Sequence, residues 1–446
     1  MAYVIQNGDS GYTRAAFESA LEGKQDVLQS GVNIKTVNGQ SVMGAGNIEV
    51  SAKEYDFKLT ALEEGMRDAV HNVITDAVNG LNKGHRYLMF GVITDLHQCE
   101  TSSDLYNTNN IYADAVPSLR LLGSIAQKSG LDAVICCGDV VDGNDSVEKR
   151  RTTFNYVQSK FREYIPCPYF ITDGNHERYY GETGFTNAEW DLMIRSFNNP
   201  MGRNIDVVYL NDVIKQEDSP LYYGGFSTYA KSTLSNNESS NSYYIDFNDK
   251  KIRVGLLSDF ERGGGWNFHG LSVYGILKFL GGKKADEWTV GMCSHNFYGY
   301  SGSHRNSQKN LFGSFINATQ INGGSSNLDK FYDKPNGEAK GKAVFGFVSG
   351  HTHIGSAGTY GGFNDICVSR AYSTKSELTQ PINHAMNTGA SINSYCFSLF
   401  IVDTANSQLH EICVGRNDRS SGNNGDTSGV TVYSYDFTTS ETLSNV

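Results

Sequence analysis

The sequence predicts an α/β protein whose strands present polar residues at their C-terminal ends. Three observations carry that expectation. From residue 86, apolar strand-like runs alternate with helical spacings. After residue 241, further strand-like runs follow one another, several without a helix between them. Five of these runs stop on Asp, Asn or His.

Taken in order, NIKTVNGQSVMGAGNIEV (33 to 50) alternates short β-prone pieces with Asn38-Gly39 and a Gly44-Ala45-Gly46 turn, the pattern of a small hairpin. Leu59, Leu62, Met66, Ala69, Val73 and Ala77 then recur at mostly three- and four-residue steps, predicting a helix that ends at Gly80 or Gly84. Such a stripe fits either a coiled coil formed with copies of itself or an amphipathic helix lying on its own domain. Gly65, Asp76 and the short length weigh against the first. The domain boundaries expected are 1–55 for the β segment, 56–84 for the helix as an oligomerisation stalk, and 85–446 for the main domain.

In the main domain, RYLMFGVITD and DAVICCGD read as strands around a helix in YADAVPSLRLLGSIAQKSG, and a second helix over 147–164 leads to PYFITDGNHE. This alternation places ligands at strand C-termini. SYYIDF, KIRVGLLSDF, EWTVGMCSH, KAVFGFVSGH, NDICVS, YCFSLFIVD and LHEICVG read as strands of a second sheet or half-sheet. The polar, Gly- and Asn-rich GRNDRSSGNNGDTSGV (415 to 430) reads as a mobile loop.

The 446 residues are 39% hydrophobic and 19% charged, a globular composition, and the net charge of −11 argues against nucleic acid as the main partner. The eight cysteines have no CxxC spacing and several lie inside apolar runs, so reduced, buried thiols are expected. The start lacks a basic region followed by an apolar one, and no apolar run approaches membrane-spanning length. Neither a signal peptide nor a membrane span is expected.

The polar residues at the strand ends are Asp95 and His97 in TDLH, Asp139 and Asp142 in GDVVDG, Asn175 and His176 in GNHE, His295, and His351 with His353 in GHTH. Any one of these alone is more often a turn or a structural histidine than a ligand. Recurrence after five apolar runs points to one shared cavity. Asp oxygens and neutral imidazoles suit Mn, Fe or Zn, whereas the thiolates of softer sites are absent from these positions. In Asp-x-His and His-x-His of an extended segment, alternate side chains project to one side, so both reach the same cavity. Asp139 is the candidate to bridge two ions ~3.5–4 Å apart, a pair that generates hydroxide near neutral pH for in-line attack on phosphorus.

The set D-x-H, GDxxD, GNHE, H and GHxH closely resembles the calcineurin-like metallophosphoesterase superfamily over about residues 86 to 415. The resemblance implies a four-layer α/β/β/α sandwich of two facing mixed sheets. It implies one ion held by Asp95, His97, Asp139 and His353, and another by Asp139, Asn175, His295 and His351. His176 is then the catalytic imidazole beside the scissile phosphate, oriented by Asp142. Arg178, Tyr298, His304 and Arg305 are candidate substrate contacts, each weighed against an ordinary surface role. His71, His85, His269, His384 and His410 read as structural.

LEGKQDVLQSGVNIKTVNGQSVMGAGNIEV (21 to 50) resembles a segment of bacteriophage tail-fibre and baseplate proteins. It implies a virion protein, often trimeric, assembled in the host cytoplasm with other tail proteins. Together the two resemblances lead to a tail-associated phosphodiesterase acting on host cell-surface polymers such as teichoic acid. A general phosphoesterase for nucleotides or phosphoproteins, and a non-enzymatic receptor-binding module for phosphorylated glycans, are the alternatives.

Overall fold

Strand pairing begins at the Asn38-Gly39 dipeptide. In a computed structural model of the chain, β1 (Thr36–Val37) and β2 (Gln40–Ser41) bracket it as an antiparallel pair with Val37 opposite Gln40 and Thr36 opposite Ser41. A two-residue connection of Asn-Gly is the favoured hairpin loop, because both residues tolerate positive φ. The structure describes residues 36–37, 40–41, 55–79, 86–98, 111–112, 114, 116–143, 145–178, 184–201, 204–213, 241–258, 288–295, 343–360, 363–371, 373–374, 392–417, 419 and 429–437. The rest of the expected 33–50 hairpin lies outside them. The chain divides into two units, Met1–Asp56 and Phe57–Val446, and β1 and β2 belong to the first.

The second unit opens with helix α1 (Ala61–Asn79). A reciprocal cap starts it: the Thr60 N–H donates to Glu63 Oε2 (2.7 Å) and the Glu63 N–H to Thr60 Oγ1 (3.3 Å). Met66, Val70 and Ile74 are buried in the same core as the sheets described below. Of the expected stripe, Met66 lies in that line, whereas Leu62, Ala69, Val73 and Ala77 flank it and are only partly buried. The buried face is turned by about one residue, because its first position is Glu63, an acidic residue that apolar spacing skips. Glu63 is fully buried against Arg120. The helix thus packs on its own unit through this face.

Two mixed sheets follow. The first has the order β17-β16-β15-β3-β5-β6, built from β3 (Tyr87–Ile93), β5 (Ala133–Cys137), β6 (Tyr169–Thr172), β15 (Cys396–Asp403), β16 (Gln408–Gly415) and β17 (Val430–Asp436). The second has the order β12-β13-β11-β10-β9-β8-β7, built from β7 (Ile205–Tyr209), β8 (Tyr243–Phe247), β9 (Ile252–Leu257), β10 (Thr289–Ser294), β11 (Ala343–Ser349), β12 (Ser356–Tyr360) and β13 (Phe363–Cys367). A separate antiparallel pair joins β4 (Ile111–Tyr112) to β14 (Ser373–Thr374).

Each sheet contains a parallel run, β3-β5-β6 at one end of the first and β9-β10-β11-β13 within the second. Their C-terminal ends share one edge. The sheets face each other across an apolar layer: the Phe90 and Phe345 rings lie 6.1 Å apart, and the Tyr243 hydroxyl donates to Ile171 O (2.6 Å). Helices α2 (Val116–Ser129), α3 (Val147–Tyr164) and α5 (Asn187–Phe197), with α1, pack on the first sheet. The other face of the second sheet is equally buried, including the Asp246–Arg253 ion pair and Met292. A sheet with a parallel centre is covered on both sides, which is why its strands read as unbroken apolar runs. Two facing mixed sheets, with helices on the outer face of the first, match the α/β sandwich expected.

The 147–164 helix matches its expected span, with Ser146 as its N-cap. β7, β12, β17 and α5 were not expected, although Trp190, Ile194 and Phe197 give α5 a buried apolar face. The 415–430 segment is not uniformly a mobile loop, because Arg416 and Arg419 are anchored. Arg419 pairs with the buried Glu411 and donates to Cys367 O (3.0 Å), and Arg416 donates to Arg370 O (2.7 Å). All seven cysteines among the described residues are free and buried. His71 bonds Ser129 and His410 bonds Ser434, away from the strand ends. His85, His269 and His384 lie outside the described residues.

Candidate metal centre

Every strand-end residue expected in the cavity comes from a C-terminal end on the shared edge. Asp95 and His97 follow β3, and Asp139 and Asp142 follow β5. Asn175 and His176 open the single turn α4 (Asn175–Arg178) after β6; His295 follows β10, and His351 and His353 follow β11.

Their backbone differs from the extended segment expected of Asp-x-His and His-x-His. Asp95, His97, Asp139, His351 and His353 all sit in the left-handed region, with φ of 52°, 43°, 50°, 74° and 63°. Each strand curls as it ends, and convergence comes from these turns rather than from strand alternation. The loops pack too closely to leave room for a Cβ at two motif glycines. A Cβ on Gly174 would lie 2.2 Å from Asp139 Oδ1, and one on Gly350 2.0 Å from Thr94 Oγ1.

Two ligand groups share Asp139, and a further set joins His97, Asp142 and His176. Donor atoms of Asp95, His97, Asp139 and His353 lie within 4.8 Å of one another, and so do those of Asp139, His295 and His351. Asn175 joins the second group, its Oδ1 3.1 Å from His295 Nε2. His351 Nδ1 faces His295 Nε2 at 3.2 Å, whereas His353 Nε2 faces His97 Nε2 at 3.2 Å. The two GHTH histidines thus serve different groups. Thr352, between them, turns its hydroxyl to Ile354 O and Cys367 Sγ.

The carboxylates show what such a cavity accommodates. Asp139 Oδ1 accepts the His176 N–H (2.8 Å), and Asp95 Oδ2 accepts the His351 N–H and the Thr94 hydroxyl (both 2.9 Å). Their other oxygens, Asp139 Oδ2 and Asp95 Oδ1, are buried and accept no hydrogen bond. Asp139 Oδ2 instead faces His295 Nε2 (3.1 Å) and His97 Nε2 (3.6 Å), one from each group. Asp95 Oδ1 faces His353 Nε2 at 3.3 Å. Buried anionic oxygens ringed by imidazole nitrogens fit divalent cations.

Electrostatics follow the same layout. Burial pushes the two carboxyls up, but surrounding imidazoles outweigh it and hold both well below the usual carboxylate range: His353 and His295 for Asp95, and His295, His176 and His97 for Asp139. Burial, reinforced by His176, pushes His97 down to about 3, leaving it neutral and able to ligate. Burial also acts against the His295 cation, yet the Asp139 and Asp95 charges carry it up to about 10.

His176 lies in the further set with His97 and Asp142. Its ring packs edge-on to His97 at 4.2 Å, and its Nδ1 accepts the Gly143 N–H at 2.8 Å. Asp142 Oδ1 lies 3.8 Å from that same nitrogen, so the closest contact to Nδ1 is the backbone N–H rather than the carboxylate expected to orient it. Burial disfavours its cation, but Asp139 and Asp142 raise it above the ordinary histidine value.

Three supporting residues escaped the sequence reading. Glu177 collects main-chain N–H groups from two loops, Arg150 donates to His176 O (3.0 Å), and Arg370 donates to His353 O (3.0 Å). Glu177 was visible as the last letter of GNHE. The arginines bond backbone carbonyls, a partner with no sequence signature. Arg178 is 5% exposed, which removes the surface ion-pair reading. Tyr298, His304 and Arg305 lie outside the described residues.

A buried carboxylate shared by two imidazole-rich groups, at the strand ends of a two-sheet sandwich, defines a binuclear metal hydrolase. The family profile described as calcineurin-like phosphoesterase matches residues 88–355, and the chain belongs to that family. It is a metal-dependent phosphoester hydrolase whose cofactors are two divalent ions, with Mn, Fe and Zn all compatible with the donors. Among solved structures, a dimetal phosphatase from Danio rerio aligns over 78% of this chain and 99% of its own at 12% identity, with a TM-score of 0.43. A single mutant of Vps29 from Entamoeba histolytica aligns over 78% and 99% at 11% identity, with a TM-score of 0.23. A comparison with curated proteins finds no match.

Proposed function

We propose that this hydrolase is a bacteriophage tail-associated phosphodiesterase that cuts phosphodiester-linked polymers of the host surface, such as teichoic acid. One ion is assigned to Asp95, His97, Asp139 and His353, the other to Asp139, Asn175, His295 and His351. The observation that carries the chemistry is the buried Asp139 Oδ2, facing an imidazole from each group. When bound, the two ions supply Lewis-acid activation of the phosphoryl group and of the attacking water. His176 supplies the proton. With the Gly143 N–H on Nδ1, a neutral His176 ring carries its proton on Nε2, the nitrogen 3.9 Å from Asp139 Oδ2 on the cavity side. That proton goes to the leaving oxygen, and Arg150 steadies the turn that carries the ring. Tyr298, His304, Arg305 and Arg178 are assigned to substrate.

The polymer and the virion rest on the 21–50 segment, whose tail-fibre resemblance supports a trimeric particle component working beside other tail proteins. The test is hydrolysis by the purified chain, loaded with Mn or Zn, of bis-p-nitrophenyl phosphate and of wall teichoic acid. Metal-dependent release from both is expected. Release from the small diester alone, or better turnover of nucleotides or phosphoproteins, removes the wall-polymer substrate. Binding of phosphorylated glycan without any release leaves only a receptor-binding role. A monomer by light scattering removes the trimer.

A further inference from the structure

We propose that Glu177 is a positioning residue for one of the two metal ions, the one assigned to Asp139, Asn175, His295 and His351. The inference rests on the binuclear reading above. Glu177 is fully buried, and its two oxygens are shared between two loops. Oε1 accepts the N–H groups of Val140 (2.7 Å) and Val141 (3.1 Å), and Oε2 those of Asp139 (3.0 Å) and Gly174 (2.8 Å). Three donors follow β5, and the fourth precedes Asn175 after β6. The carboxylate therefore sets the separation between Asp139 and Asn175, and the His176 N–H on Asp139 Oδ1 closes the same ring.

The other group is held by different bonds. Asp95 N–H donates to Gly138 O (3.1 Å), His97 N–H to Asp139 O (2.9 Å), and His353 O is fixed by Arg370. Loss of the Glu177 ties therefore falls mainly on the Asn175 side. Only a carboxylate satisfies this arrangement. Glutamine keeps the shape but turns one oxygen into an NH2 that meets two N–H donors head-on.

The experiment titrates metal-free parent, E177Q and E177D with Mn or Zn and counts bound ions by elemental analysis at graded free metal, with circular dichroism and thermal melts on each. For E177Q the expected result is a folded protein in which one ion binds about 10- to 100-fold more weakly, the loss typical of groups that hold a ligand in place, while the other keeps its affinity. Hydrolysis by E177Q should recover in excess metal, and E177D, which keeps both oxygens, should regain part of the lost affinity. Parent-like binding of both ions by E177Q overturns the proposal. So does an equal loss of both ions, or failure of both variants to fold. A parent that binds fewer than two ions refutes the binuclear assignment itself, independently of Glu177.

Discussion

Loading metal into this protein should expel a proton, because one ligand has to surrender one. His295 is fully buried; its Nδ1–H donates to Cys137 O (2.7 Å), leaving Nε2 to face Asp139 Oδ2 at 3.1 Å. The carboxylates of Asp139 and Asp95 overcome burial and lift its pKa to about 10, so at pH 7 Nε2 carries a proton in the metal-free protein. That is about three pH units of competition, or about 4 kcal/mol of metal affinity at ~1.4 kcal/mol per unit. Affinity for the ion at His295 should therefore climb roughly tenfold per pH unit above neutrality, until the proton is gone near the lifted pKa. His97, held down at about 3, contributes no such proton. Calorimetric titration of metal-free protein at pH 7, in buffers of different ionisation enthalpy, measures the release directly, with about one proton expected. Heats independent of buffer, or an affinity flat from pH 6.5 to 9 where tenfold steps are expected, would refute the reasoning. The same shifts fix the stability of the metal-free protein. The raised His295 contributes fully below its ordinary value of 6.5 and loses that contribution as pH rises through about 10. The depressed Asp95 and Asp139 contribute above 3.8 and lose it as pH falls through their lowered values.

Three further outcomes are expected. Asp139→Asn keeps the acceptor for the His176 N–H but puts an NH2 where Oδ2 faces both groups; metal retention should fall at least about 100-fold, and two ions found by elemental analysis would contradict the shared-oxygen assignment. His176→Ala should lower kcat about 10²- to 10⁴-fold with metal content unchanged, since its Nε2 serves proton transfer rather than ligation; unchanged kcat would end its assigned role. Arg120→Met strands the buried Glu63 and should cost about 3–5 kcal/mol in denaturant unfolding, against well under 1 kcal/mol if α1 were not seated on its own unit.

The site was more legible than the fold around it. Each ligand letter follows an apolar run, and parallel strands carry their C-terminal ends to one edge, so strand order alone brings Asp95, Asp139 and Asn175 together. The route of convergence was not legible, because period-two alternation says nothing about a chain that turns left-handed after its strand. Edge strands were missed for a related reason. In β17, residues alternate between half-buried and exposed, and Tyr and Ser look alike whether paired at an edge or looping through solvent. The α1 face was misplaced because a buried Glu63 breaks an apolar count, although its neutralising partner lies 57 residues away.

Left-handed backbone also bears on which residues the site can use. A left-handed φ costs an ordinary side chain about 1–2 kcal/mol, and Asn, Asp and His occur there several-fold more often than other types. Five of the assigned ligands occupy that region, and all five are Asp or His. The loops bearing them are bonded to one another rather than to solvent: Asp95 N–H to Gly138 O, His97 N–H to Asp139 O, Gly350 N–H to His295 O, and Ala371 N–H to Thr94 O. Ligand chemistry and backbone geometry select the same short list of residue types here, so a longer carboxylate or a β-branched donor would meet the metal's demand and fail the chain's.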